Sequence, residues 1–589
     1  MKRNMIFKNM LVAVAFLATG ALFTACSDWD DHYDAGSAVE GSATSTIWEN
    51  ITSNSNLSQF ADLLKKAGYD AVLNTSQSFT VWAPLNGTFD YDALTTVGND
   101  KLLKEFVQNH IARNNIPASG SISERIYMLN KKVHNFEGAG SYTMSGVAVA
   151  QANVPSVNGV IHTLNGKLLF QPNIFESLEP GDFPIDSISA YIHAFDIKRL
   201  DKAKSIQGPV VDGQITYLDS VFEDYNTLVE GLGINTEDSN YTMIVPTNEA
   251  WTRAMKNISS YYNYIDKFTY IESPARTSSL QHIEEVELPK GAAYWKDSLS
   301  HSVLLRGLFY NNNEYDNVKL NNHQTGQKLG ADSLITASYN LMYSEDAEAL
   351  FTGTTRVDKS NGDIYITDDS LRMHPWTIWN PLINIETEYS SYLGSVSGGS
   401  ASPVNNVIAG RQNPAVAGRL SNYGYLEAYA ASNQQNPELN FYLRNVRSTT
   451  YVIYGVIVPS NITNVYETNP KGNSFRVSVG YNNEKGAMPT NPARLGDFES
   501  DPTKIDTIRF GEVTFPICYY GTDYSPFLRI EGRVSANSDK YDRTIRIDRI
   551  FLVPKELDDY LKEHPDYKFD DPFYTQSSGR GTTIIIIRD

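Results

Sequence analysis

The sequence predicts an α+β protein in which two tandem α+β modules precede a C-terminal antiparallel β-sandwich of jelly-roll-like character. Three observations carry this. One order of landmarks occurs twice: an amphipathic helix, an apolar strand closed by Pro-x-Asn, and an Asn-Gly turn between alternating runs. Beyond a Gly/Ser-rich stretch at residues 394–402 the text changes to short alternating strands with turns between them. The 589 residues and 41% hydrophobic content suffice for several packed cores, about three to four domains on length.

The chain begins with Lys2, Arg3 and Lys8, an apolar run from Met10 to Phe23, then Thr24-Ala25-Cys26. Basic, apolar and small residues in that order form a secretory signal, and the apolar run is too short to span a bilayer. Thr24 and Ala25 before Cys26 resemble the lipobox of bacterial lipoproteins, with Phe23 in place of the usual Leu. The resemblance implies that residues 1–25 are cleaved and that Cys26 carries a diacylglycerol, so that acyl chains such as palmitate anchor the protein. Ser27, Asp28, Asp30 and Asp31, around Trp29, resemble the signal that sends some Gram-negative lipoproteins to the outer face of the outer membrane. Residues 26–44, rich in Gly, Ser, Ala and Asp, are expected to form a flexible acidic tether.

From Ser45, the residues Ile47, Trp48, Ile51, Leu57, Phe60, Leu63 and Leu64 recur at helical spacing, and Gly68 is a stop. Phe79 to Ala83 reads as a strand that Pro84 ends, with Asn86 two residues on. Leu102 to His110 supplies a helix ending in a histidine, and Asn158-Gly159 turns into the strand Val160-Ile161-His162-Thr163-Leu164. These three landmarks, in this order, resemble the fasciclin family, and they define a first module at residues 45–178. The order returns within residues 179–393: a helix expected over Ser220 to Leu228, the strand Tyr241 to Val245 before Pro246-Thr247-Asn248, and Asn361-Gly362 before Asp363-Ile364-Tyr365-Ile366. In this copy Phe309 is expected at the place of the middle histidine, and Tyr365 replaces His162. The spacer after Trp251 is longer and carries Tyr261, Tyr262, Tyr264, Tyr270, Tyr294 and Trp295. Tyr261, Tyr262, Tyr264, Tyr294 and Trp295 are the candidate ligand contacts, and packing against a neighbouring domain fits the same residues.

After the linker at residues 394–402, residues 403–589 supply strands such as Thr450–Val458, Phe475–Val479, Phe527–Val534 and Thr544–Val553. The last resembles the final strand of jelly-roll domains that bind glycans. Thr582 to Ile587 would form one more strand, and the run around Cys518 reads as an apolar strand with a buried, inert thiol.

The net charge of -19 opposes nucleic-acid and anionic-lipid binding. With Cys26 acylated, Cys518 has no partner for a disulfide. HExxH, CxxC and Gly-x-Ser-x-Gly signatures do not occur, and Gly159 to Lys167 lacks both the spacing and the hydroxyl of a phosphate loop. Neither a metal site nor a cofactor is expected: the resemblance puts His110 and His162 in a structural core, and the spacing of Asp566, Asp570 and Asp571 lacks the Gly turn and closing Glu of a calcium loop. A carboxylate pair that meets only in space stays open to a hydrolase. The expectation is therefore a non-catalytic lipoprotein on the cell surface, anchored in the outer membrane. By its resemblance it captures or positions a glycan or other nutrient beside an outer-membrane uptake transporter and other surface lipoproteins. A structural adhesin for host or neighbouring-cell proteins is the alternative, and a glycoside hydrolase in the C-terminal domain a further one.

Overall fold

The six apolar or small residues from Phe79 to Pro84 form a fully buried strand, β1, because helices cover one of its faces and a second core covers the other. The structure is a computed structural model that describes residues 43–567 apart from several segments, the longest being 273–282, 312–332, 397–403 and 409–419. The chain divides into two units, residues 1–171 and 172–589.

In the first unit Thr46 caps helix α1 (Ile47–Ser53) with a reciprocal Thr46–Glu49 capping box, and α2 (Ser58–Lys66) follows. Their residues Ile47, Ile51, Phe60 and Leu64 pack on Phe79, Val81 and Ala83. Trp82, on the opposite face of β1, packs with Phe136, Met144 and Leu164. The remaining strands are β2 (Ile111–Arg113), β3 (Ser121–Tyr127), β4 (Val133–Ala139), β5 (Ser141–Met144), β6 (Val147–Ser156) and β7 (Gly159–Leu164), in the order β2-β1-β7-β6-β5-β4-β3 with β1 and β7 parallel. The parallel pair starts from one side-chain amide. Asn158 Oδ1 accepts from the Ile47 N–H at 2.8 Å, and its Nδ2 donates to the carbonyls of Leu73 and Thr75 at 2.9 and 2.8 Å. Gly159 follows at φ +140°, where a Cβ would lie 1.8 Å from the Phe79 carbonyl oxygen, so only glycine fits.

The second unit repeats this arrangement. Its strands begin with a β-ribbon, β8 (Asp196–Leu200), β9 (Ile206–Val211), β10 (Gln214–Asp219) and β11 (Phe222–Asn226), after helix α3 (Asp186–His193). The helix expected over Ser220 to Leu228 is therefore strand β11 where described. It pairs along its whole length with β8, Phe222 opposite Leu200 through Asn226 opposite Asp196, a partner that a run of nine residues read for helical spacing does not reveal. Next come β12 (Tyr241–Val245), helix α4 (Asn248–Ser259), β13 (Lys267–Ile271), β14 (Ile283–Glu287), helix α5 (Gly291–Gly307), β15 (Phe309–Asn311), the pair β16 (Ser333–Ile335) and β17 (Leu341–Tyr343), β18 (Thr355–Lys359) and β19 (Gly362–Ile366). β12 and β19 are parallel in the sheet β15-β12-β19-β18. Asn361 Oδ1 accepts from the Ile174 N–H at 2.9 Å, and its Nδ2 donates to the carbonyls of Ile234 and Thr236, both at 2.8 Å. Gly362, at φ +141°, leaves 1.9 Å between a Cβ and the Tyr241 carbonyl oxygen. Tyr365 occupies the register of His162, opposite Ile244 as His162 is opposite Trp82. The middle histidine's counterpart is Leu308, one residue before the expected Phe309, because Ile111 pairs with Val81 as Phe309 pairs with Met243.

The sandwich starts earlier than the Gly/Ser composition suggests. β20 (Ile383–Glu386) pairs with β30 (Ile545–Pro554), and β21 (Tyr392–Val396) pairs with β24 (Pro437–Tyr442), so Gly394 and Ser395 of the expected linker are strand residues. Strand pairing uses the backbone, which those small residues leave accessible. The boundary expected after residue 178 also moves, since Ile174 and Leu178 are buried in the second unit's first core. With β22 (Val404–Ile408), β23 (Gly424–Ala428), β25 (Thr450–Ile457), β26 (Ser474–Gly480), β27 (Ala493–Glu499), β28 (Asp506–Thr514) and β29 (Phe527–Gly532), two antiparallel sheets form: β22-β23-β30-β25-β28 with β20 also on β30, and β21-β24-β29-β26-β27. One core fills the space between them, with Leu439, Phe441, Val477, Leu528 and Ile530 facing Tyr451, Ile453, Ile547, Ile550 and Leu552. Helix α6 (Lys555–Glu563) lies on the other side of the first sheet, its Leu557 and Leu561 against Val452, Tyr454 and Phe551. The strand expected at Thr582 to Ile587 lies outside the described residues.

Replacing Gly159 or Gly362 by alanine is expected to lose about 3 kcal/mol or more of stability through backbone strain and the carbonyl clash. Gly87→Ala, at φ +75° with open space around it, is expected to lose about 1 kcal/mol. Urea unfolding followed by tryptophan fluorescence checks this, and Gly159→Ala should shift only the transition of the first unit.

Candidate functional site

The chain leaving α4 runs directly onto the sandwich. The Tyr261 hydroxyl donates to Glu556 at 2.6 Å, the Tyr264 hydroxyl to the Tyr520 carbonyl at 2.6 Å, and Tyr262 Oη accepts from Arg447 Nε at 3.1 Å. Between them Asn263 accepts at its carbonyl from the Cys518 N–H at 2.8 Å and donates from Nδ2 to the Pro516 carbonyl at 2.9 Å. Tyr261, Tyr262 and Tyr264 are thus 5%, 0% and 6% exposed, so they are not surface contacts. Burial pushes the Tyr262 and Tyr264 hydroxyls above the ordinary phenol range. Trp295 is half-buried against Tyr264, its Nε1 donating to the Pro289 carbonyl. Tyr294 is the exposed member of the five, beside Lys290. The structure follows the packing alternative, with one reason at its centre. The Arg447 guanidinium is buried among Tyr520, Trp379 and Tyr262, 4.3, 5.0 and 5.7 Å from the ring centroids. Cys518 sits in the same seam, in the loop after β28 and not in a strand, its thiol pushed up by burial.

The arrangement with binding chemistry lies instead on the outer face of the five-stranded sheet. Leu439, Phe441, Val477, Leu528 and Ile530 point into the core, so the alternate residues of β24, β29, β26 and β27 point outward in rows. One row is Asn440, Arg529, Ser478 and Arg494, and the next is Glu438, Glu531, Arg476 and Asp497. Arg529 Nε donates to Asn440 Oδ1 at 2.9 Å and lies 3.3 Å from Glu438 Oε1. Arg533 contacts Glu531 at 3.4 Å, and Arg476 grips Asp497 with two bonds of 2.7 and 3.2 Å. Glu438, Asn440, Arg529 and Glu531 are buried although they face away from the core. On the other side of the Asn440 row stand Tyr442 and Phe527, with Phe527 lying over Gly480. The hairpin β13–β14 reaches this end. Thr269 N–H donates to the Gly486 carbonyl at 2.8 Å, and Tyr442 Oη donates to the Glu272 carbonyl at 2.8 Å. Half-buried Tyr270 sits 5.0 Å from Tyr524, and burial pushes its hydroxyl up to about 12. Aromatic rings beside a fixed array of donors and acceptors can hold a polyhydroxylated molecule. The sequence signal was the alternation of Glu438-x-Asn440, Arg529-x-Glu531 and Arg476-x-Ser478 with core residues, which by itself reads as a solvated face.

The histidines of the first unit are spoken for by other groups. His110 Nδ1 donates to the Phe106 carbonyl at 2.7 Å, and its Nε2 accepts from the Leu168 N–H at 2.9 Å. His162 Nε2 donates to the Ile116 carbonyl at 3.0 Å, and its Nδ1 accepts from the Asn153 N–H at 3.3 Å. Neither ring retains a lone pair for a metal or a proton transfer. His134 bonds Asn109 Oδ1 at 3.1 Å and Ser145 Oγ at 2.9 Å. Burial pushes His110 down to about 3 and His134 to about 4. Cys26, Ser27, Asp28, Asp30 and Asp31 lie outside the described residues, as do Asp570 and Asp571. Among the described residues no helix is long and apolar enough to cross a membrane.

Residues 55–170 match the fasciclin domain family. A relative, transforming growth factor-beta-induced protein ig-h3 from Sus scrofa, is 27% identical over 149 residues, 24% of this chain and 21% of its own length. The chain therefore spans about a fifth of that relative's length. A FAS1 domain pair from the insect cell adhesion molecule fasciclin I matches at 14% identity and a TM-score of 0.19, over 55% of this chain and 99% of that one. A family 35 carbohydrate-binding module from Clostridium thermocellum matches at 11% identity and a TM-score of 0.17, over 29% of this chain and 96% of that one.

Because the folded pKa values of His110 and His134 lie below the value of about 6.5 in an unfolded chain, their stability contribution is complete above pH 6.5. It is lost as the pH falls toward the folded values. At pH 5 each is expected to have lost about 2 kcal/mol. Thermal unfolding of the first unit between pH 7 and pH 5 checks this. His110→Leu should flatten the pH dependence while losing about 1–3 kcal/mol at pH 7 from the unpaired Leu168 N–H.

Proposed function

We propose that this chain is a non-catalytic, cell-surface lipoprotein that captures or positions a glycan on the outer face of its five-stranded sheet. The observation that carries the reading is the surface of this face, where Arg476, Arg494 and Asp497 and the half-buried rings of Tyr442 and Tyr270 stand around a buried network of Asn440, Arg529, Glu438 and Glu531. Guanidinium, amide and carboxylate groups held on rigid strands match vicinal hydroxyls, and neighbouring rings match the apolar faces of sugars. Both carboxylates sit against guanidinium groups, Glu438 with Arg529 and Glu531 with Arg533, which suits holding a ligand better than lending it a proton.

The second unit's first part is proposed to be a second fasciclin-like module. The equal Asn-Gly amide locks and parallel strand pairs support that reading. The seam around Arg447 then serves as the mount that carries the hairpin β13–β14 to the binding face. Lipid anchorage at Cys26, display on the outer face of the outer membrane through Ser27, Asp28, Asp30 and Asp31, and work beside an uptake transporter and other surface lipoproteins complete the proposal. The lipobox-like Thr24-Ala25-Cys26 and the acidic run after it support the anchor.

A glycan array with the full-length chain purified in detergent is expected to give binding, and Tyr270→Ala is expected to weaken it about tenfold, near 1.4 kcal/mol, without changing the melting temperature. Silence on every glycan would overturn the reading in favour of protein adhesion through the fasciclin domain. Cys26→Ala is expected to move the protein from the membrane fraction to the soluble fraction, and a variant that stayed with the membrane would remove the anchor from the proposal.

A further inference from the structure

The outer sheet face is unusual in its charge. The protein carries a net charge of -19, yet the two central rows hold three arginines, Arg476, Arg494 and Arg529, with three carboxylates, Glu438, Glu531 and Asp497, and Arg533 joins Glu531 from just beyond the strand. One row further, Glu499 accepts from Tyr541, beside Lys540. At physiological ionic strength charges are screened beyond about 8 Å. A ligand at the face therefore meets the local arginines and not the charge of the whole chain.

The arginines are not equivalent. Arg529 is buried against Asn440 and Glu438. Arg476 and Arg494 close on Asp497 from two sides, Arg476 with two bonds and Arg494 with one of 2.6 Å, and hydrogen bonds from Arg476 hold the Asp497 carboxyl below its ordinary range. The side chains of Arg494 and Arg533 are 55% and 41% exposed, with one carboxylate contact each among the described residues. Two partly exposed guanidinium groups thus stand on this face, Arg494 on Asp497 and Arg533 on Glu531, and beside Arg494 the pair Arg476–Asp497 shows the two-bond geometry that a guanidinium makes with a carboxylate.

Resting on the glycan reading above, we propose that the ligand is an acidic saccharide whose uronate carboxylates are received by the exposed guanidinium groups of Arg494 and Arg533. The planar two-oxygen fork of a carboxylate meets a guanidinium edge to edge, as Asp497 meets Arg476 on this face.

The test is affinity gel electrophoresis of the full-length chain in detergent against polygalacturonate, dextran sulfate and neutral xylan, repeated with an Arg494→Gln/Arg533→Gln double variant whose melting temperature is measured alongside. Arg533 pairs with the buried Glu531, so the Arg494→Gln single variant, which leaves that pair intact, is run beside the double variant and is expected to lose about half of the effect without a change in melting temperature. Retardation by polygalacturonate that falls about tenfold or more in the double variant, with weaker response to dextran sulfate, is the expected result. Stronger retardation by dextran sulfate than by polygalacturonate would overturn the carboxylate assignment. Binding to xylan alone, or polygalacturonate binding unchanged in the double variant, would overturn the acidic-saccharide inference and leave glycan capture standing. Absence of retardation by all three would overturn the inference, and it would overturn glycan capture as well only if the glycan array were also silent.

Discussion

The buried cation Arg447 ties together separate parts of the second unit. Removing a guanidinium from water costs several kcal/mol unless its surroundings replace what water supplied. Here the replacement comes from three separate places: Tyr262 just after α4, Trp379 near the end of the same module, and Tyr520 in the loop between β28 and β29. None of the three alone surrounds the cation, so the cage exists only when the sandwich and the module before it are both in place. That condition explains why Tyr261, Tyr262 and Tyr264 are consumed by packing. It also explains why β13–β14 ends on the sandwich, where Asn482 Nδ2 donates to the Thr269 carbonyl at 2.7 Å.

A different constraint governs the parallel strand pairs. In both places one asparagine amide collects an N–H from the start of a preceding helical segment and gives its two hydrogens to carbonyls of the loop before the central strand. The glycine after it brings its backbone against that strand. Around this lock the two copies differ freely. At the register positions of His162 and His110 stand Tyr365 and Leu308, so the histidines are one solution to filling the core, while the amide and the glycine occur at both parallel pairs.

What the sequence revealed follows from how local each signal is. The strands before Pro84 and Pro246, the Asn-Gly turns and most sandwich strands were legible because the alternation, the stop and the turn lie within a few residues. Strand β11 was not, because its partner β8 lies some twenty residues upstream. The seam aromatics were misplaced for a related reason: Tyr262 is buried by Arg447, 185 residues away, and Tyr264 by Tyr520, 256 residues away. Composition set the start of the sandwich too late because Gly394 and Ser395 pair through their backbones, where side-chain identity carries little information.

The outer sheet face was hidden by its own regularity, and that regularity is what makes its burial informative. Alternating polar residues ordinarily mark the side of a sheet that water covers. Here Glu438 and Glu531 stand directly opposite one another on neighbouring strands and are both buried, an arrangement that repels unless cations intervene. Arg529 and Arg533 supply those cations, each from its own side. A solvated surface would place opposite charges in register and leave them in water, whereas this one buries like charges side by side and neutralises them with arginines from two sides, which fixes Glu438 and Glu531 in place.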